Sequence, residues 1–228
     1  MIERLTVGPI GENVYVLPLR PASAGGPAAG SGDCILVDPG DEAAKIKAFL
    51  DDRGLRPVLI ACTHGHLDHS AAIPELREAY RAEGRELPLA VHRGDRAYFG
   101  AQGEETNRAL FAAIRATGFF RSYWRSMPEP EVLLEDGELL PGSTWKVLHS
   151  PGHTAGSACF YEESLGVLVS GDTLFRDGVG RTDGPDSDES ELHRSIMTRL
   201  FPLPNDTIVL PGHGEPTSVG REKGDAVE

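Results

Sequence analysis

The segment THGHLDHS, residues 63–70, places three of the chain's eight histidines and one aspartate within six positions. It follows directly on the apolar run PVLIAC, so a short strand delivers these side chains into a polar turn that contains Gly65. His64 and His66 are two residues apart, and in extended chain such side chains point to the same side. Asp68 and His69 follow as the chain turns. The pattern recurs: WKVLHSPGH ends at His153, ACFYEESLGVLVSGD at Asp172 and DTIVLPGHG at His213. Each apolar run closes in a Gly-containing loop that carries a histidine or an aspartate. Imidazole nitrogen and carboxylate oxygen suit zinc and its borderline-soft neighbours, which makes metal binding the leading expectation. An ordinary capped helix entrance would explain THGHLDHS alone, but not its three counterparts.

The remaining segments give the architecture. Residues 2–7, 13–19, 34–40, 57–64 and 88–92 read as short strands bounded by turn residues. DEAAKIKAFLDD carries Ile46, Phe49 and Leu50 on one side, and HSAAIPELREAYRAEG places Ile73, Leu76 and Tyr80 at helical spacing with Pro74 near its first turn. NRALFAAIRATGFF reads as a helix, and DESELHRSIMTRLF as another, with Leu192, Ile196 and Leu200 spaced by four. Strands with interspersed helices point to an α+β fold of two sheets with helices outside. No linker divides the chain, so it reads as one domain over residues 1–228. PASAGGPAAGSGD, residues 21–33, is too poor in large apolar groups to pack and reads as a flexible loop. Residues 93–130 form a partly helical insertion whose Tyr123, Trp124 and neighbouring arginines either cover the core edge or face a substrate or a second copy.

At 228 residues the chain is long enough to bury a substantial core. Its formal charge of −13 and the lack of a basic stripe argue against a nucleic-acid partner. Three cysteines, Cys34, Cys62 and Cys159, have no paired-motif spacing and fit buried thiols in a reducing compartment. MIERLTVGPI lacks a long apolar stretch, and no segment approaches a membrane span, so a cytoplasmic protein without a membrane partner is expected.

THGHLDHS, SPGHTAGS, SGDTLF and LPGHGEP together resemble the motifs of the metallo-β-lactamase fold superfamily, in matching order over nearly the whole chain. The likeness is strongest to the small glyoxalase-II-like branch, similar to hydroxyacylglutathione hydrolases. It implies an αββα sandwich with a metal site along the edge of two mixed sheets. It further implies that His64, His66 and His153 hold one divalent ion, that Asp68, His69 and His213 hold a second, and that Asp172 bridges them. Zinc is the first expectation for both ions, and iron or manganese also suit the ligands. The implied chemistry is attack by a metal-bridging hydroxide on a small thioester, with Asp68 also orienting the nucleophile. A thiolate leaves without an acid to protonate it, which favours thioesters over amides.

The same ligands serve several activities. GVGRTD, which contains Arg181 and Asp183, resembles a segment of both small glyoxalase-II-like hydrolases and mononuclear-iron persulfide dioxygenases; Val179 and Gly184 depart from the dioxygenase pattern. Arg181 and Asp183 are expected either to order this loop or to touch substrate. Glyoxalase II proteins carry an extra C-terminal helical region for glutathione, and this sequence ends in EPTSVGREKGDAVE soon after His213, which leaves a glutathione-derived substrate open. A lactonase or other metallo-hydrolase, a persulfide dioxygenase and a non-catalytic metal-binding protein are the alternatives. A homodimer through the aromatic insertion is a further option.

Overall fold

The computed structural model describes residues 1–19 and 32–225. Most of the loop expected at 21–33 therefore lies outside the described residues.

Two sheets face each other. The first comprises β1 (Glu3–Val7), β2 (Glu12–Pro18), β3 (Asp33–Val37), β4 (Arg56–Cys62), β5 (Leu89–His92) and β6 (Val132–Leu134), in that order. Its first three strands pair antiparallel and its last four parallel. The parallel crossovers carry α1 (Ala43–Asp52), then α2 (Leu67–Ser70) and α3 (Ile73–Ala82), and between β5 and β6 α4 (Gly103–Ala113) and α5 (Thr117–Tyr123). The second sheet contains β7 (Lys146–His149), β8 (Ala158–Glu162), β9 (Val167–Gly171), β12 (Ile208–Pro211) and β13 (Thr217–Ser218), in the spatial order β13-β12-β9-β8-β7. A two-stranded ribbon, β10 (Leu174–Phe175) and β11 (Gly178–Val179), follows β9; α6 (Glu189–Ser195) precedes β12 and α7 (Val219–Asp225) follows β13.

Strand alternation divides the core into three apolar layers. Ile35 and Val37 of β3 point between the sheets, while Cys34 and Leu36 face the helices. Phe160 of β8 joins Tyr15, Trp145 and Val147 in the inter-sheet layer, while Cys159 and Tyr161 turn toward Leu192, Ile196 and Leu200. Ile46 and Leu50 of α1 and Ile73, Leu76 and Tyr80 of α3 close the opposite face. The result is an αββα sandwich. All three cysteines are buried free thiols. Among the described residues, no helix is long and apolar enough to cross a membrane.

One expected helix is divided. NRALFAAIRATGFF does not continue through residues 114–116: Arg115 adopts φ 59°, and the Ala116 amide donates to the Phe111 carbonyl at 2.8 Å, closing α4 with a left-handed turn. The reversal stacks Phe119 of α5 on Phe111 of α4, with ring centroids 5.4 Å apart. Aromatic packing between two short helices thereby replaces one longer helix.

Phe160 fills the inter-sheet layer and is fully buried. Phe160→Ala is expected to cost about 3–5 kcal/mol in equilibrium denaturant unfolding. A cost under about 1 kcal/mol would show that the two sheets do not depend on a shared core.

Candidate metal centre

The site lies where β4, β7, β9 and β12 end. THGHLDHS leaves β4, His153 sits on the turn after β7, Asp172 directly follows β9, and His213 follows β12. Because β9 and β12 run parallel, both deliver their polar residue to the same edge. Hydrogen bonds hold the two sheets together at this edge: the Asn13 amide donates to the Gly212 carbonyl (2.8 Å), the Ala158 amide to the Thr63 carbonyl (2.8 Å), and the Tyr15 hydroxyl to the Pro211 carbonyl (2.8 Å). Glycine permits the close approach. A Cβ on Gly212 would lie 2.4 Å from Asp172 Oδ1, and one on Gly171, whose φ is +49°, would lie 2.3 Å from Thr63 Oγ1.

All seven residues expected as metal ligands converge here. One group is His64, His66 and His153, with His153 Nε2 3.2 Å from His64 Nε2 and 3.0 Å from His66 Nδ1. A second is Asp68, His69 and His213; His213 Nε2 lies 3.3 Å from Asp68 Oδ2, and His69 Nε2 lies 3.6 Å from the same oxygen. Asp172 stands between the groups. Its Oδ1 is 3.3 Å from His69 Nε2, and its Oδ2 is 3.7 Å from both His153 Nε2 and His213 Nε2.

The protonation pattern tests whether cations fit. His153 Nδ1 lies 2.8 Å from the Arg181 carbonyl, which can only accept, so Nδ1 carries the proton and Nε2 presents a lone pair. Thr63 Oγ1 spends its proton on Asp38 Oδ2 at 2.6 Å and therefore accepts from His64 Nδ1 at 3.1 Å, which leaves a lone pair on His64 Nε2. Asp38 Oδ2 also accepts from His69 Nδ1 at 3.1 Å and turns His69 Nε2 toward Asp68 and Asp172. The lone pairs of His64 Nε2 and His153 Nε2 thus meet at 3.2 Å. The buried atoms His66 Nε2, His69 Nε2 and Asp172 Oδ1 have no hydrogen-bond partner. Burial drives His64 well below the ordinary imidazole range and His66 down to about 3, so neither readily takes a proton to relieve the conflict. At His69 burial also opposes charge, yet the adjoining Asp172 and Asp68 hold it well above its usual value. Burial likewise opposes ionisation of Asp172, and His69 beside it outweighs that and keeps the carboxyl low. The donor set calls for positive charge at its centre, and one or two divalent ions fit it.

A family model described as "Metallo-beta-lactamase superfamily" matches residues 28–213. The chain belongs to this superfamily. It is 35% identical over 188 residues to "Hydroxyacylglutathione hydrolase GloC" of Haemophilus influenzae, a match spanning 82% of this chain and 83% of that protein. Among solved structures, BLEG-1, a B3 metallo-beta-lactamase, superposes with a TM-score of 0.81 at 31% identity, covering 98% of this chain and 97% of that one. TTHA1623, solved in a di-iron-bound form, superposes with a TM-score of 0.75 at 36% identity, covering 97% and 96%.

Several residues that orient this superfamily site escaped the sequence reading. Asp38 binds the Thr63 amide (2.7 Å) as well as Thr63 Oγ1 and His69, and so couples the two histidine groups. Its place in CILVDPG, an apolar strand ending in aspartate, matches the pattern of Asp172 and was a usable signal. Asp95 had no such signal. It accepts from the Gly65 amide (2.7 Å), the Gly156 amide (2.6 Å) and Thr154 Oγ1 (2.8 Å), tying the turn of His64 and His66 to the turn of His153. Burial pushes Asp95 up to about 7, against the pull of those three donors. Tyr98 packs edge-on to His66 at 5.7 Å and donates to Asp186. Arg181 and Asp183 form a bidentate, largely exposed pair at 2.6 Å, and it is the Arg181 backbone that reaches His153. His149 stacks on His92 at 4.0 Å, and its Nε2 donates to the Ala155 carbonyl, consistent with packing rather than metal chemistry.

Asp95→Ala is expected to strand two buried amides and a hydroxyl, at a cost of about 3 kcal/mol or more. It should also weaken metal binding roughly 10- to 100-fold, since such supporting partners fix ligand orientation. Unfolding and metal titration on the same variant check both, and unchanged metal affinity would exclude Asp95 as a support of the centre.

Proposed function

We propose that the chain is a metal-dependent hydrolase of thioesters, of glyoxalase-II-like type, working with two divalent ions. The observation that carries this reading is the convergence of seven nitrogen and oxygen donors, with Asp172 between two groups of three, of which His66, Asp68, His153, Asp172 and His213 line a cavity of about 470 Å³. In this proposal His64, His66 and His153 would hold one ion, Asp68, His69 and His213 would hold the other, and Asp172 would serve both. Such ions supply a Lewis acid for a carbonyl and a water acidified toward neutral pH. Zinc suits the donors, and the di-iron form of TTHA1623 makes iron the next candidate.

The chain's own groups do the rest. Asp38 and the Arg181 carbonyl fix the proton-bearing nitrogens of His69 and His153, so that their Nε2 atoms face inward. Asp68 lines the cavity and orients the attacking water through its carboxylate. Among the described residues, the lining contains no lysine, tyrosine or cysteine to protonate an amine as it leaves. A thiolate needs no such acid, which favours a thioester over an amide. The likeness to GloC makes a hydroxyacylglutathione the first compound to assay. A second reading, cleavage of a lactam or lactone by the same donors, draws support from the 31% identity to BLEG-1 over nearly the full length.

The test measures metal per chain by elemental mass spectrometry and follows hydrolysis of a thioester, a lactone and a β-lactam on the same sample. About two ions per chain with fastest turnover of the thioester is the expected result. Asp172→Ala should lose bound metal and lower kcat/KM by roughly 100-fold or more. Full metal content with faster lactam or lactone cleavage would move the assignment to the second reading, and full activity in Asp172→Ala would refute the shared-ligand arrangement. Chelation should lower the melting temperature along with activity, because the ions bind the folded chain.

A further inference from the structure

Beyond the donor atoms, the walls of the same cavity are apolar. Leu110, Phe111, Ile114 and Phe119, from α4, α5 and the turn joining them, line it together with Phe175 and Val179 of the β10–β11 ribbon. The stack of Phe119 on Phe111 gives the helical part of this lining a fixed shape. Among the described residues, Arg181 and Asp183 are the only charged side chains that line the cavity besides the donors His66, Asp68, His153, Asp172 and His213. These two are joined by paired 2.6 Å hydrogen bonds, so the one arginine of the lining already faces a carboxylate. The carboxylates of glutathione would find little there, whereas an alkyl chain would meet apolar side chains from two parts of the fold.

We infer that this cavity selects an uncharged, apolar acyl chain, making the substrate an alkanoyl thioester whose thiol portion contributes little to recognition. The inference rests on the hydrolase reading above for its reaction and on the wall residues for its selectivity. Phe119 and Val179 are the specificity-determining positions. Phe119 lines the cavity against Phe111, and Val179 is half exposed at the ribbon.

Binding is measured separately from turnover, by calorimetry on the purified metal-bearing protein. The probes are ketone analogues of acyl-N-acetylcysteamines, acetyl through octanoyl, in which a methylene replaces the sulfur, with S-methylglutathione as the charged comparison. Kd is expected to fall roughly fourfold per added methylene until the cavity is filled. S-methylglutathione should bind more weakly than the longer analogues. Phe119→Ala should flatten the gradient and Phe119→Leu restore part of it. Val179→Lys, at a half-exposed position that leaves the core intact, should shift preference toward the glutathione conjugate. A chain-length gradient without cleavage of the matching thioesters would defeat the hydrolase reading and leave the pocket assignment standing. A flat gradient in the unaltered protein, or tighter binding of S-methylglutathione than of the octanoyl analogue, would overturn the assignment.

Discussion

The architecture is organised around an electrostatic conflict that protein groups alone do not resolve. His153 brings its Nε2 within 3.2 Å of a ring nitrogen of His64 and within 3.0 Å of one of His66, and His64 and His153 are held by Thr63 and the Arg181 carbonyl with their protons pointing away from the meeting point. Buried lone pairs so placed repel, and the low polarity of the surroundings magnifies the repulsion. The sandwich bears this cost through its sheet edge: two sheets, each with its own helices, are fastened across the site by Asn13, Tyr15 and Ala158. A cation held there would turn the same arrangement from repulsive to cohesive, which would couple metal binding to stability through the fold itself.

Two buried carboxylates carry that coupling. Asp38 reaches both histidine groups, through Thr63 to His64 and directly to His69. Asp95 bonds to backbone and hydroxyl donors on the turns of the first group, which come from different sheets. Neither is among the seven donors. Each converts a flexible turn into one with a fixed direction, and ligand geometry depends on them as much as on the imidazoles.

Much of this was legible in the sequence because the donors are local to strand ends. His64, His66, Asp68 and His69 fall in one short segment, and His153, Asp172 and His213 each follow an apolar run, so periodicity and turn residues marked their positions. The three-layer core was equally readable, since Cys34 to Val37 and Ala158 to Tyr161 alternate between faces as strands must. Asp95 was invisible because its partners lie 30 and about 60 residues away and nothing near it has a recognisable period. The break between α4 and α5 was hidden for a related reason. Arg115 has no intrinsic taste for the left-handed region, and the turn persists through the Phe111–Phe119 stack that it makes possible, a tertiary gain that no local propensity encodes.

That break also separates two tasks. The donors stand at the ends of sheet strands, and β4, β9 and β12 are paired on both sides, which limits movement, whereas one cavity wall is built on α4 and α5, between β5 and β6. Substitutions at Ile114 or Phe119 reshape the wall without touching a donor. Substitutions at Gly171 or Gly212, by contrast, drive a new Cβ into Thr63 or Asp172. Under the proposed function, a rigid edge would fix the chemistry while a helical wall beside it would tune selectivity, so that one set of donors could serve different substrates. Substrate identity must therefore be sought in the wall, where the seven donors have no say.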